Sequence, residues 1–241
     1  MDEELFAHLQ NVEHVLSNGN THHAIKMLED LSSLYPDNYQ ISSMLGECFL
    51  SIGKPEKAIK PLRWSLKLSM RLSENKSAVK NISTENDLIR QLKQSFNNLD
   101  KDYLWFDYYL LGCAYAKAMK FKPAVYYLNL ADQINPENTE ILRNLGWVKC
   151  MQEKKEIGRT LLRKAIELDP KNALAYNDLG ASYMFDNNLK NAEYWIKQAR
   201  QLDPFDSFIA ETEDKLNDLL AINTLFANGN ILQNTSNPQP K

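Results

Sequence analysis

Large apolar residues recur along this chain at helical spacing, in pairs of short stripes, and each pair closes on a proline. Tyr108, Leu111 and Tyr115 mark one face of a first helix with Gly112 among them, and Ala124 and Leu128 mark a second helix before Pro136. The same order returns as Tyr176, Leu179, Gly180 and Tyr183, then Ala192 and Ile196, then Pro204. Residues three and four apart share a helix face, so each stripe is one buried surface. Pro136, Pro170 and Pro204 stand 34 residues apart, in the phrases Ile-Asn-Pro-Glu-Asn, Leu-Asp-Pro-Lys-Asn and Leu-Asp-Pro-Phe-Asp. Proline cannot continue a helix and ends each pair. A helix pair cannot bury its own apolar face and needs a similar neighbour. The pattern predicts an all-α array of stacked helix pairs.

Weaker copies extend the period. Thr139 to Asn172 keeps Leu142, Leu145, Gly146, Leu162, Ala165 and Pro170, but has Lys149 where an aromatic is expected and Gly158 where alanine is. Glycine inside a helix is about 1 kcal/mol less favourable than alanine, so this pair is expected to be locally softer. Tyr39 to Leu72 carries Leu45, Gly46, Phe49, Gly53, Ala58 and Leu62, with Met70 in place of the last proline. Leu5 to Asn38 is degenerate: His8, Asn11 and Val12 stand at signature positions, while Gly19, Ala24, Leu28 and Pro36 remain.

These residues resemble the tetratricopeptide repeat (TPR), with its large–Leu–Gly–aromatic, Ala–large and Pro order. The resemblance covers residues 5–38, 39–72, 105–138, 139–172 and 173–206. It implies a right-handed superhelical solenoid of about five helix pairs within a domain spanning 1–226. The small glycine lets the second helix approach closely while leucine and tyrosine fill the space beside it. Residues 207–226 place Phe208, Ile209, Thr212, Leu216, Leu219 and Leu220 at helical spacing, the pattern of a C-terminal capping helix. Residues 227–241 are rich in Asn, Gly, Pro and Gln and are expected to be disordered.

An insert over 73–104 interrupts the period. In a stack of helix pairs it must add an even number of helices or none, because the repeats after it look normal. Only Asn81-Ile82-Ser83-Thr84 reads as a turn, and Thr84 with Asp87 resembles a capping box. The expectation is an antiparallel hairpin, with Leu68, Leu72 and Val79 facing Leu88, Leu92 and Phe96.

Composition narrows the function. A net charge of −3 supplies no basic footprint for nucleic acid. No stretch has the roughly 18–20 apolar residues of a membrane span, and the acidic start, Met-Asp-Glu-Glu-Leu-Phe, lacks the form of a secretory signal. Cys48, Cys113 and Cys150 lie far apart and read as reduced thiols with a packing role in a cytoplasmic protein. The four histidines all fall in the first repeat, and His8 and His14, six apart, do not have metal-ligand spacing on a helix. No metal or cofactor is called for. No phosphate loop, nucleophile elbow or paired-carboxylate signature marks an enzyme.

The resemblance implies that the first helix of each pair lines a concave groove. That geometry points Phe106, Tyr109, Arg143, Trp147, Met151, Asn177, Met184 and Phe185 inward, and aromatics, Met and Arg are enriched at interface cores. The matching positions of the first two repeats, Glu13, Ser17, Gln40, Ser43 and Glu47, are polar and partly acidic. Some TPR proteins hold the carboxylate end of heat-shock chaperones with Lys, Asn and Arg on successive first helices. Here Leu9 and Glu13, or Tyr109 and Cys113, stand at the first two of those positions, and Asp178 stands where a cation is wanted. Asn144 sits where related sugar-transferase repeats carry an asparagine that grips a peptide backbone. The expected function is a non-catalytic adaptor that binds a peptide or helix of a partner protein in the groove. The other reading is a dedicated chaperone masking a secretion or pilus-assembly substrate, which would need a long apolar groove.

Overall fold

The structure, a computed structural model, describes residues 3–73 and 104–235. Among the described residues there are eleven α-helices and no strand: α1 (Glu3–Ser17), α2 (Thr21–Leu34), α3 (Tyr39–Ser51), α4 (Pro55–Ser73), α5 (Trp105–Lys117), α6 (Phe121–Ile134), α7 (Thr139–Met151), α8 (Lys155–Leu168), α9 (Ala173–Met184), α10 (Leu189–Leu202) and α11 (Ser207–Thr235). They form two compact units, Met1–Pro136 and Glu137–Lys241. The first holds three helix pairs, α1/α2, α3/α4 and α5/α6. The second holds α7/α8, α9/α10 and α11, which packs on α10.

The phrase around each proline is both a stop and a start. Pro36, Pro136, Pro170 and Pro204 follow the end of a second helix, and the Asn or Asp two residues on caps the next first helix. Asn38 accepts from the Ile41 amide at 3.1 Å, Asn138 from Glu140 and Ile141 at 3.1 and 3.2 Å, and Asn172 from Ala175 at 3.1 Å. Asp206 accepts from Phe208 and Ile209 at 2.8 and 2.9 Å. Such a cap is worth about 1 kcal/mol.

Inside the four pairs after α1/α2 one contact recurs. A Cβ added to Gly112 would lie 2.6 Å from Leu128, one on Gly146 2.8 Å from Leu162, and one on Gly180 2.6 Å from Ile196; Gly46 meets Leu62 in the same way. The hydrogen-only position lets the branched side chain of the second helix sit against the first helix's backbone. Leu62, Leu128, Leu162 and Ile196 are accordingly buried. Around α5 and α6 the core is aromatic: Tyr127 stacks on Tyr115 at 5.7 Å and on Tyr108 at 6.5 Å.

Gly158 departs from the expectation of a soft repeat. A Cβ there would meet the Gly146 carbonyl oxygen at 2.5 Å, the Cys150 amide nitrogen at 2.8 Å and the Cys150 sulfur closer still. The two glycines face one another, so α7 and α8 meet backbone to backbone, and the propensity penalty of Gly158 is offset by packing that alanine would break.

The turn within each pair is also invariant in form, though not in sequence. Gly19, Gly53, Met119, Glu153 and Asn187 all have left-handed backbones, with φ of 76°, 69°, 59°, 62° and 52°. In each, the following residue's amide closes the helix end, as in Lys54 to the Phe49 carbonyl at 2.8 Å and Lys120 to the Tyr115 carbonyl at 2.8 Å. Only the first two positions hold the residue that adopts this conformation freely.

The capping face of α11 is built as expected. Leu216 joins Leu189, Ala192 and Ile196 in one cluster, with Leu219 and Leu220 packed against it. The helix continues to Thr235, past the expected end at residue 226 and into the segment expected to be disordered. Residues 236–241 lie outside the described residues. So does the hairpin expected from the insert, apart from the run of α4 to Ser73.

These contacts make two stability predictions. Gly158→Ala, a gain of about 1 kcal/mol by helix propensity, should instead destabilise by about 1–3 kcal/mol through overpacking, read as a lower urea midpoint; an unchanged or higher midpoint contradicts the packing account. Met119→Gly and Glu153→Gly should each raise stability by about 0.5–1 kcal/mol by relieving left-handed strain, whereas Asn187→Gly should change little.

Candidate protein-binding surfaces

The first helices of the first unit enclose a cavity of about 350 Å³. α1 contributes Phe6, Leu9, Gln10 and Glu13, α3 contributes Tyr39, Gln40, Ser43, Met44 and Glu47, and α5 contributes Phe106 and Asp107. Gln40, Ser43, Glu13, Glu47 and Phe106 were legible as groove residues. Phe6 and Met44, which with Leu9 supply its apolar floor, were not. The degenerate signature of the first repeat hid Phe6, although the position that selected Phe106 selects it too. Phe106 is 38% exposed and stacks on Tyr109 at 6.2 Å.

Asp107 stands at the position held by Ile41, Ile141 and Ala175 in other repeats, all of them buried. Its carboxylate is thus carried into the seam between α3, α4 and α5. It accepts the Ser43 hydroxyl at 2.5 Å and the Ser65 hydroxyl at 3.0 Å. Burial pushes the Asp107 carboxyl above its ordinary value, against the lowering effect of the two serine hydroxyls.

The second unit treats its polar residues differently. Arg143 donates to Asp178 at 2.8 Å and to Glu140 at 2.8 Å, and Asn172 adds a hydrogen bond to Glu140 at 2.8 Å. Its guanidinium is therefore bound within the fold rather than offered to solvent. Asn177 is fully buried and lies in the helix packing, not on an open surface. Asn144 donates to the Glu140 carbonyl of its own helix at 2.8 Å. Met184 is half-buried against the cluster of Leu189, Ala192, Ile196 and Leu216.

Trp147 and Phe185 do come together, with ring centroids 5.8 Å apart, and Phe185 is 46% exposed. Met151 and Phe185 line a cleft of about 560 Å³ with Cys150, Glu153 and Lys155. Arg159, a buried cation the sequence reading overlooked, ties α8 to the end of α9 and to Asp186 just beyond it. It donates to the Ser182 carbonyl at 2.7 Å, to Asp186 at 2.5 Å and to Glu156 at 2.7 Å, with its guanidinium 4.1 Å from the Tyr183 ring centre. Lys155 also pairs with Asp186. Of the expected groove residues, the second unit therefore groups Trp147, Met151 and Phe185, engages Arg143 in internal ion pairs and buries Asn177.

The three cysteines are buried and form no disulfide. Burial pushes the Cys48 thiol up to about 11, with the nearby Glu47 charge adding to it, and burial likewise pushes Cys150 to about 11. Protonated thiols are poor nucleophiles and poor metal ligands. Among the described residues no group of His, Cys, Asp and Glu has the arrangement of a metal site. No described helix is long and apolar enough to cross a membrane.

Helix pairs on a 34-residue period, four of them pinned by a glycine and four ended by a proline, define a helical-repeat solenoid. Two models of the tetratricopeptide repeat match residues 9–66 and 161–201. The chain is a tetratricopeptide repeat protein. No curated protein matches it in sequence. Solved structures share the fold at low identity. PilW, a type IV pilus biogenesis factor, is 14% identical with a TM-score of 0.62, over 92% of this chain and 88% of PilW. A thermophilic TPR protein of Thermus thermophilus is 15% identical with a TM-score of 0.60, over 89% of this chain and 98% of that one. YrrB, a TPR protein with an unusual peptide-binding site, is 17% identical with a TM-score of 0.52, over 86% of this chain and 90% of its own.

Asp107 makes stability depend on pH. A raised carboxyl pKa means that the folded state holds the proton more tightly than the unfolded chain. The stabilisation is complete below the ordinary value of 3.8 and is lost as pH rises through the folded-state value. Asp107→Asn should therefore be more stable than wild type near pH 7 and should lose the advantage by about pH 4. Thermal melts across that range check this, and a difference constant with pH would contradict it.

Proposed function

We propose that this protein is a non-catalytic adaptor that holds a peptide or helix of a partner protein on the concave faces made by its first helices. The observation that carries the reading is the first unit's cavity: it is lined by first helices alone, and its apolar floor is left uncovered by the described rest of the unit. Large exposed apolar side chains on a first-helix face do nothing for stacking, and clustered aromatics of this kind are typical binding anchors. Phe106 with Tyr109 in the first unit, and Trp147 with Met151 and Phe185 in the second, are the anchors on this reading. Asn144 and Met184 contribute at the edges, while Arg143 and Asn177 act by shaping α7 and α9. Buried thiols that form no disulfide suit a reducing cytoplasm.

YrrB has a peptide-binding site and PilW is a type IV pilus biogenesis factor, so peptide binding and a part in pilus biogenesis both occur among proteins of this fold. A masking chaperone calls for one long apolar groove. The acidic lining of the first cavity and the internal ion pairs of the second unit favour local docking.

Affinity capture from the native cell with quantitative mass spectrometry, using wild type and point variants, tests the proposal. Trp147→Ala and Tyr109→Ala should each weaken binding of a captured partner at least about thirtyfold, the equivalent of a 2 kcal/mol anchor, with helicity unchanged by circular dichroism. Undiminished binding by Trp147→Ala, Tyr109→Ala and Phe106→Ala alike would move the site off the concave faces.

A further inference from the structure

The cavity of the first unit has charged groups of one sign only among its described lining residues. Glu13 on α1 and Glu47 on α3 face it, Asp107 closes its α5 side, and no lysine or arginine is among those residues. These carboxylates stand over an apolar floor of Leu9, Met44 and Phe106. Glu13 and Glu47 are exposed to solvent at the cavity, and partial burial pushes the Glu47 carboxyl above its ordinary value, so a nearby cation would stabilise its charge. Serine hydroxyls, rather than a cation, satisfy Asp107. The contrast with the second unit is direct, because there Arg143 and Arg159 close their carboxylates from within.

An acidic wall repels phosphates and excludes nucleic acid as the occupant. A cavity of about 350 Å³ lies at the small end of ligand pockets. It accommodates one or two side chains, not a folded surface. We infer that the first unit's cavity takes a basic segment of a partner protein, with a lysine or arginine facing Glu13 and Glu47 and an adjacent Leu, Met or aromatic side chain on the Met44–Phe106 floor. This rests on the proposed use of the concave faces for docking and names the chemistry of what docks. Charge complementarity of this kind sets specificity and association rate, and it weakens as salt screens it.

The probe is a displayed library of random peptides of about 12 residues, the length of a short docked segment, selected on the full chain and re-measured as fluorescein-labelled single peptides by anisotropy. Enrichment of Lys or Arg next to an apolar residue is expected. The selected peptides should bind Glu13→Gln/Glu47→Gln at least about tenfold more weakly, should lose affinity in high salt, and should lose binding to Phe106→Ala. Circular dichroism verifies that each variant is folded. Enrichment of neutral or acidic peptides that still require Phe106 would overturn the basic-segment inference while leaving concave docking intact. No enrichment, or selected peptides indifferent to both Phe106→Ala and Glu13→Gln/Glu47→Gln, would overturn both.

Discussion

The contact on which the structure depends is the meeting of a glycine in one helix with a branched side chain in the next. At Gly46–Leu62, Gly112–Leu128, Gly146–Leu162 and Gly180–Ile196 there is no room for a single methyl group. The close approach fixes which stripe of the first helix turns toward its partner. Once the glycine stripe faces the second helix, the positions of Gln40, Ser43 and Glu47, or of Glu140, Arg143 and Trp147, face away from it. The same atoms that hold each pair together thus create the surface left for a partner. At Gly146 and Gly158 the pair meets through its backbones, and a glycine that looks like a defect in one helix is half of a two-helix fit.

Much of this was legible because the period couples local chemistry to position. The proline phrases announced a helix end, and the structure adds that the asparagine or aspartate two residues later, Asn38, Asn138, Asn172 or Asp206, caps the next helix. The helix pairs follow from the same period. What escaped was whatever the pattern treats as interchangeable. Met119 and Glu153 carry a left-handed backbone without the glycine that would announce it, because the flanking helix ends dictate the turn. At Gly158 propensity describes one helix only, whereas the close packing that the glycine permits lies on two. Positional logic placed Arg143 and Asn177 on the groove, yet a side chain at a groove position serves a partner only if its own neighbours leave it free. Asp178 and Glu140, adjacent in space and not in sequence, decide that for Arg143.

Electrostatics separates the two units more clearly than shape does. In the second unit the buried and half-buried charges form closed sets: Arg143 with Glu140 and Asp178, and Arg159 with Glu156 and Asp186. A closed set specifies how helices pack and offers little to a partner, since an incoming charge must compete with a bond already made. What remains for recognition there is aromatic and largely uncharged, the Trp147–Phe185 pair beside Met151.

The first unit is left open in the complementary sense. Asp107 occupies a position where its equivalents, Ile41, Ile141 and Ala175, fill space with carbon, and two serines across the seam accommodate it with hydroxyls. Apolar residues fill that position in the other repeats, and replacing a buried polar group together with its partners by apolar groups is commonly near neutral, whereas losing Asp107 alone would orphan the buried Ser65 hydroxyl. Helix pairs elsewhere in the chain thus stack without a carboxylate here, and its burial raises the cost of folding at neutral pH. Its effect on the cavity it borders is definite: with Glu13 and Glu47 it makes every charged group among the described lining residues negative. A carboxylate that the other helix pairs stack without, placed where it sets the charge of an open surface, is better accounted for by what that surface binds than by the fold that carries it.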